Sequence, residues 1–534
     1  MNFLGFFSAG LIIFIAVGSL ICVFFSAGYE SSFTFEDWRI IAFTFKQATL
    51  SAFVSCMLAV PISRALVRRD FILKSLLVSF LGAPFILPVL VAVLGFTAIF
   101  GRSGLVNFLL SSFELTPISI YGTSGIVLVH VFFNLPIAIR FLIYGWGAIP
   151  AERFRLTAQL GMSRWHTFRI VEIPMLINTL PSILVLVFLL CISSFGVALT
   201  MGGGPAATTI EVAIYYAFRY DFDLTKASYF ASAQMILGLS AILVSFKIKS
   251  PNIYQAGLDR HLERWDCNHN LVKVTDYIII VCTAVFIFSP IVALTLKGGL
   301  NFINLPEQVL IAAFRSVLMS LASTILAMTV SFSIAHSSVT LSARFYRSLE
   351  SVGYLPISVS PLVLGTGVFI CLLPFTNPND YALEVTIIVN ALMSVPFIIG
   401  ILINPIRQVY SDFGRLGSNI GLSQKGFITI VLLPRLSRNI GFAAGLACAI
   451  SMGDFGVIAL FSAPDAFTLP MAVYSLMGAY RLDSSSSAAL LLLVLTFGLF
   501  FISSLNDLFI NIVYSYNVQV AFLLVEYLLA LYDL

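Results

Sequence analysis

The segment RLTAQLGMSRWHTFRIVEIP (155–174) returns as RLGSNIGLSQKGFITIVLLP (415–434), and this repeat governs how the whole chain is interpreted. The positions paired at its offset (421 − 161 = 260) are Arg155 with Arg415, Gly161 with Gly421, Pro174 with Pro434, Pro136 with Pro396, Phe195 with Phe455 and Asp223 with Asp483. A fixed offset is the signature of an internal repeat. The chain is therefore interpreted as two homologous halves joined head to tail.

The composition is that of a membrane protein. Of 534 residues, 59% are hydrophobic and only 10% are charged, whereas soluble domains carry about 25% charged residues. A spanning helix needs about 20 apolar residues, and about twelve such stretches occur. They lie near 9–28, 40–63, 75–99, 124–146, 175–200, 226–246, 274–296, 308–334, 352–374, 382–404, 439–462 and 486–506. Because lipid requires every backbone polar group to be satisfied internally, we predict an all-α polytopic membrane protein.

Lys and Arg cluster in alternate loops, which predicts the orientation of the chain. The clusters lie within 64–74, 153–169, 247–273, 344–347 and 407–438. The positive-inside rule places such loops in the cytoplasm, together with the N-terminus and both copies of the repeated loop. Short basic loops divided among helices do not favour a nucleic-acid partner. The expected location is a bacterial inner membrane.

The repeat also predicts the domain boundaries. Each half holds about six spans, so the two repeats would run parallel through the lipid bilayer. The predicted segments are a first transmembrane repeat (1–247), a cytoplasmic linker (248–272), a second transmembrane repeat (273–506) and an apolar tail of unknown role (507–534). For the tail, a helix lying in the membrane interface is the favoured interpretation.

The repeated loop has the features of a mechanical element. Each copy has a helical start, a glycine, a further stretch and a closing proline. A short amphipathic helix that glycine breaks and proline stops suits a groove on a partner protein, whose closure would move it as a lever. The alternative is a solvated loop whose basic residues serve topology alone. Such a loop would not need a matched glycine and proline in both halves.

Both loops resemble the EAA motif of permeases from ATP-binding-cassette (ABC) importers, in which a glutamate and two alanines precede a glycine and a hydrophobic-x-hydrophobic-Pro ending. Arginine stands at the glutamate position in both copies, a departure from the motif. The resemblance implies a type I ABC importer permease fold. It also implies ATPase-coupling loops that contain Arg155, Ala158, Gly161, Pro174, Arg415, Gly421 and Pro434.

The chain contains no GxxxxGK[ST] loop, which is the sequence of a phosphate-binding Walker A site. We therefore expect that it is not an enzyme, and that a separate ATPase subunit, in two copies, binds ATP and Mg²⁺. No cofactor or metal is expected in the chain itself. An enzyme embedded in the membrane would need clustered acids and histidines, whereas the five histidines are scattered.

The chain resembles the thiamine branch of these permeases over residues 40–500. The resemblance is sharpest in ILPVLVAVLGF (86–96), HVFFNLP (130–136), AQLGMSRWHTFR (158–169), GGGPAATTIEVAIY (202–215) and SMGDFGVIALF (451–461). It implies that a periplasmic thiamine-binding protein delivers thiamine or its phosphates. A permease for ferric iron or another small solute is the alternative within the class. An ion-coupled secondary transporter is the alternative outside it, although many of those have inverted repeats and several buried acids.

The candidate solute path is centred on Asp454, because an acid inside an apolar span is costly and marks a functional site. Its equivalent in the first half is Ser194. A cationic thiazolium ring would be held by one carboxylate and by aromatic faces. The candidate aromatic residues are Phe195, Phe455, Tyr215 and Tyr474. The alternative is that Asp454 caps or hydrogen-bonds a neighbouring helix.

Overall fold

The computed structural model describes residues 2–26, 34–247, 269–341, 343–461 and 467–503. Every regular element within these ranges is helical, which confirms the predicted all-α class. The predicted tail (507–534) and nearly all of the predicted linker (248–272) lie outside the described residues.

The described part of the first half forms helices α1 to α13, with one π-helical turn at Phe168–Glu172. Their bounds are α1 Asn2–Ser26, α2 Phe35–Arg68, α3 Lys74–Phe80, α4 Ala83–Ile86, α5 Val89–Phe100, α6 Leu105–Ser112, α7 Thr123–Gly147, α8 Ala151–Gln159, α9 Arg164–Thr167, α10 Ile173–Ile192, α11 Phe195–Met201, α12 Ile210–Arg219 and α13 Leu224–Lys247. α2 begins with a capping box. Thr34 Oγ1 accepts from the Asp37 N–H, and the Asp37 carboxylate accepts from the Thr34 N–H, which satisfies two amide groups at the helix start.

The described part of the second half forms helices α14 to α23, with a π-helical turn at Phe427–Leu432. Their bounds are α14 Asn270–Gly299, α15 Glu307–Thr340, α16 Ala343–Tyr354, α17 Pro361–Leu372, α18 Ala382–Asn419, α19 Gln424–Gly426, α20 Leu433–Met452, α21 Gly456–Leu460, α22 Leu469–Gly478 and α23 Leu482–Ser503. α10 and α20 have equal lengths and start 260 residues apart (433 − 173). The duplication in the sequence is thus a duplication in the structure.

Ten helical segments of the described residues are long and apolar enough to cross a membrane, or eleven if one bent pair is counted. The polytopic class is confirmed, but the predicted count of about twelve is not. The predicted span 75–99 is divided into α3, α4 and α5, where Gly82 and Pro88 precede the new helices. The predicted span 352–374 corresponds to two helices bent by 93°. The predicted span 226–246 corresponds to α13, which is not among the ten.

The chain forms two compact units that differ from the sequence halves. Unit A comprises Cys22–Val309 and Pro470–Leu491, and unit B comprises Met1–Ile21, Leu310–Leu469 and Leu492–Leu534. Most of α1 therefore belongs to the unit built from the second half, and α14 belongs to the unit built from the first. The predicted domain boundaries at 247 and 273 separate the two sequence repeats, not the two compact units, and they stay a prediction.

Within each unit, the helix that comes from the other half packs at close range. In unit B, a Cβ added to Gly367 of α17 would collide with the backbone of α1. In unit A, a Cβ added to Gly95 of α5 would collide with the Pro290 carbonyl of α14. Glycine allows such close approach between membrane helices. A buried ion pair between Arg69 and Asp276, 2.8 Å apart, also joins the end of α2 to α14.

Candidate functional site

The first repeated loop (151–174) turns at a glycine in the left-handed conformation. Gly161 has a φ of +61°, and the Met162 N–H donates to the Thr157 carbonyl at 3.0 Å. This is the Schellman arrangement that ends a helix. Ser163 then starts α9 by accepting from the His166 N–H. A Cβ added to Gly161 would meet no atom within 4 Å, so the positive φ is the reason for glycine here.

The second repeated loop (411–434) has the same backbone design. Gly421 has a φ of +71°, and the Leu422 N–H donates to the Gly417 carbonyl at 3.0 Å. Ser423 starts α19 by accepting from the Gly426 N–H at 3.1 Å. Each unit therefore presents one loop with the same two-helix, glycine-hinged shape.

Large apolar side chains are exposed on both loops. In the first loop, Leu160 is 66% exposed and Trp165 is 63% exposed, and in the second loop Ile420 is 66% exposed. Arg155 and Arg415, which replace the glutamate of the EAA motif, are also exposed. Exposed apolar side chains that cluster on a loop are a feature of partner-binding surfaces. The role of these loops in docking stays a prediction.

The two prolines do not stop a helix, contrary to the sequence analysis. Pro174 and Pro434 lie in the first turn of α10 and α20, directly after the π-helical turns. Proline is tolerated there because the first amide groups of a helix have no partner within that helix. The helical path therefore continues from each loop, through a π-helical turn, into a long helix.

In unit B, α20 leads from the loop to a break in the helix that carries Asp454. The break separates α20 from α21, and Asp454 Oδ1 accepts from the Gly456 N–H at 3.2 Å. The amide of Asn390 lies close to the carboxyl group and donates to Ser451 Oγ at 3.4 Å. The buried Oδ2 atom has no partner of hydrogen-bond geometry among the described residues. Asp454 thus caps α21, and its second carboxyl oxygen is buried beside Asn390.

In unit A, α10 leads to the equivalent break before α11, where the polar groups come from other helices. Gln234 donates from Nε2 to the Ile192 carbonyl at 3.0 Å and to Glu211 Oε1 at 3.0 Å. Gln47 donates to the Cys191 carbonyl at 3.2 Å. Glu211 is fully buried and is not among the residues predicted from the sequence. The available signal was a single acid within the apolar end of GGGPAATTIEVAIY.

Aromatic rings form a cluster in unit A. Phe195 lies 5.3 Å from Tyr215 between ring centroids, and Tyr220 lies 5.9 Å from Tyr215. Tyr216 lies 5.7 Å from Tyr220, and Tyr474 lies near both. Burial, followed by the neighbouring Tyr220, raises the pKa of Tyr215 and of Tyr216. These phenols stay neutral at physiological pH, so their ring faces are the groups available to a cation.

The structure thus places the candidate path residues in two groups. Phe195, Tyr215 and Tyr474 belong to unit A, whereas Asp454 and Phe455 belong to unit B. Their common role in a solute path stays a prediction. Among the described residues, no group of three or more His, Cys, Asp or Glu side chains is arranged to hold a metal ion.

Comparison with known proteins identifies the family. No family model matches the chain. The chain is 37% identical over 474 residues to the thiamine transport system permease protein ThiP of Salmonella typhimurium. The aligned residues cover 87% of this chain and 88% of that protein. The chain is also 33% identical over 503 residues to the protein of the same name from Brucella abortus, and the aligned residues cover 92% of each protein.

A shorter relative matches only part of the chain. The molybdenum transport system permease protein ModB of Azotobacter vinelandii is 27% identical over 228 residues, which is 97% of that protein but 42% of this chain. A single permease unit therefore corresponds to less than half of these residues, in agreement with the duplication. With two ThiP proteins above 30% identity along most of the length, the chain belongs to the family of thiamine transport system permease proteins.

Proposed function

We propose that this chain is the membrane permease subunit of an ABC importer that carries thiamine or its phosphates across the bacterial inner membrane. The N-terminus and both repeated loops face the cytoplasm. The observation that supports this most is the pair of glycine-hinged loops with one backbone design, each with exposed apolar side chains. Two copies of an ATPase subunit would each bind one loop, and a periplasmic thiamine-binding protein would deliver the solute.

The helices after the loops explain how such a partner would act on the solute path. α10 and α20 each have 20 residues, which at 1.5 Å per residue gives about 30 Å. That length matches the hydrocarbon core of a bilayer. In each unit, one helix therefore connects the loop to the polar break at its other end. A loop displaced by nucleotide-driven closure of the ATPase would move the break with it.

The two breaks supply chemistry suited to a cation. Asp454 supplies a carboxyl group at the break before α21, and Phe455 follows it in the chain. The aromatic cluster of unit A offers neutral ring faces. Each of these features by itself favours a cation such as the thiazolium ring of thiamine, the carboxyl group through its charge and the ring faces through cation–π contact.

Reconstitution tests the proposal directly. The purified chain, placed in vesicles, should take up radiolabelled thiamine only when the ATPase subunit, ATP and the binding protein are all added. Adding an ionophore should leave this uptake unchanged. Uptake without nucleotide, or uptake abolished by the ionophore, would instead support an ion-coupled carrier.

A competition assay tests the solute. Excess unlabelled thiamine should abolish uptake of the label, whereas ferric iron should not. Uptake of labelled ferric iron, without uptake of labelled thiamine, would assign the chain to the other solute class while leaving its role as a permease intact.

A further inference from the structure

Each π-helical turn lies between a repeated loop and the long helix that follows it, so a displacement of the loop would reach that helix through the turn. Phe168–Glu172 connects the first loop to α10, and Phe427–Leu432 connects the second loop to α20. A π-helical turn carries an extra residue in the helical path and is rare outside functional sites. A turn of this kind would absorb a displacement of the loop unless neighbouring side chains hold it.

In unit A, a single guanidinium holds both ends of the π-helical turn. Arg64 of α2 places its Cζ 4.4 Å from the ring centroid of Phe168, the first residue of the turn. The same side chain donates from Nε to Glu172 Oε2 at 2.7 Å and from Nη2 to Glu172 Oε1 at 3.2 Å. Glu172 is the last residue of the turn. A bidentate pair of this geometry fixes both partners in position.

Glu172 also connects the turn to a second helix. Trp146 of α7 donates from Nε1 to Glu172 Oε2 at 3.2 Å, and Arg68 Nη2 lies 3.9 Å from Oε1. The Glu172 side chain is fully buried. A buried carboxylate that lost its cationic partners would be strongly destabilised, so the turn is held to α2 and α7 together.

In unit B, a histidine and a tyrosine lie at the equivalent turn. The end of α15 corresponds to the end of α2 at an offset of 272, which places His336 at the position of Arg64 (336 − 64 = 272). His336 Nε2 lies 2.8 Å from Tyr410 Oη, and the Tyr410 ring lies 5.0 Å from that of Phe427, the first residue of the turn. At the last position, the acid is replaced by the fully buried Leu432.

A pair of hydrogen bonds supports this alignment of α2 with α15. Thr44 Oγ1 accepts from the Ile210 N–H at 2.9 Å, and Ser316 Oγ accepts from the Leu469 N–H at 2.7 Å. The two hydroxyls are again 272 residues apart (316 − 44). Each hydroxyl bonds the first residue of a ten-residue helix, α12 in the first half of the chain and α22 in the second, so the two positions are equivalent in structure.

We propose that Arg64 and Glu172 are positioning residues that clamp the π-helical turn of unit A, so that displacement of the first loop is transmitted to α2, α7 and α10. In place of this ion pair, unit B has the contacts of His336 and Tyr410. The two loops are therefore alike in backbone but differ in how firmly they are held. The inference rests on the proposed function, in which the loops couple the ATPase to the permease.

Hydrogen exchange of the permease alone tests the clamp without any partner. In Glu172→Gln, amides of residues 151–167 should exchange about tenfold faster, because exchange follows the free energy of local opening. Residues 411–426 of the second loop should be unchanged. Leu432→Met, at the matched position of unit B, is the control and should leave both loops as in the wild type.

A second variant guards against simple misfolding. The double substitution Arg64→His with Glu172→Leu installs the residues of unit B and leaves neither of these two partners as an orphaned charge. Proline occupies position 150, where unit B has Tyr410 (410 − 260 = 150), so the new histidine finds no tyrosine partner. Exchange at 151–167 should therefore still be faster than in the wild type. Because both charges of the ion pair are removed together, the double variant should insert normally.

The functional measurement is the number of thiamine molecules transported per ATP hydrolysed in reconstituted vesicles. Both variants should bind the ATPase subunit but lower this ratio several-fold, and Glu172→Asp, which keeps the charge, should restore part of it. The inference is overturned by wild-type exchange and a wild-type ratio in both variants. It is equally overturned by a uniform rise in exchange over all helices, which would show a general stabilising role. Failure of the proposed function would appear separately, as absence of ATP-dependent uptake by the wild type.

Discussion

Asp454 and Ser194 occupy equivalent positions, 260 residues apart (454 − 194), at the breaks that follow α20 and α10. The first half has no acid at this position, but the folded chain brings another carboxyl group, that of Glu211, close to its break. Gln234 connects the buried Glu211 to the Ile192 carbonyl beside the break of unit A. Each break therefore has a carboxylate near it, contributed by the broken segment in unit B and by α12 in unit A.

Substituting Asp454 separates its charge from its capping role. Asparagine caps a helix about as well as aspartate, so Asp454→Asn should preserve α21 and remove only the charge. We expect the KM for thiamine uptake to rise about tenfold, which corresponds to about 1.4 kcal/mol. Membrane insertion and binding of the ATPase subunit should be unchanged.

The matched control is Ser194→Ala at the equivalent position of unit A. Normal transport by Asp454→Asn, combined with poor insertion of Asp454→Ala, would assign Asp454 to capping alone. It would then be removed from the solute path.

At the scale of single elements, the glycine hinges are the clearest feature. Gly161 and Gly421 share a left-handed conformation and a Schellman ending, while neither is crowded. Replacement by alanine therefore costs backbone strain of about 1 kcal/mol and removes no contact.

Gly161→Ala and Gly421→Ala should each lower the stimulation of the ATPase subunit by the permease, because the strained turn shifts the loop away from its docking conformation. The measurement is ATP hydrolysis by the reconstituted complex. Gly147→Ala, a helical glycine of α7 that is also uncrowded, is the control and should behave as the wild type. Equal effects at positions 147 and 161 would argue against a role for the hinge.

The exposed aromatic residue of the first loop gives a further prediction. Trp165→Ala should weaken binding of the ATPase subunit about tenfold, because exposed tryptophans contribute strongly to interfaces. Trp38, 58% exposed at the start of α2, provides the matched control, and Trp38→Ala should leave the affinity unchanged. Affinity can be measured by titrating the ATPase subunit into permease held in nanodiscs.

At the scale of the whole molecule, both repeated loops should lie on one side of the membrane. Single cysteines at the exposed matched positions 160 and 420, in a chain whose own cysteines are replaced, should both react with an impermeant maleimide only in inverted vesicles. The reason is that each half has an even number of predicted spans and basic loops on the same side. Labelling from opposite sides would contradict the parallel repeat and the proposed function together.

The membrane class, the duplication and the two loops were predictable from the sequence, because apolar composition and a fixed offset are properties of the linear chain. The sequence identified Gly161 and Gly421 correctly as special positions, because a left-handed turn selects glycine whatever surrounds it. It also identified Asp454 as an unusual acid, since charge within an apolar run is visible without a fold.

Which helices share a unit and which side chains meet could be seen only in the folded chain. The placement of α1 with the second half, the ion pair of Arg64 with Glu172 and the hydrogen bond of Glu211 with Gln234 all join residues far apart in the chain. Local periodicity carries no information about such partners. In a membrane, where apolar faces suit lipid and protein alike, the choice of neighbour depends on close packing and on the pairing of polar groups, which exist only once the helices have assembled.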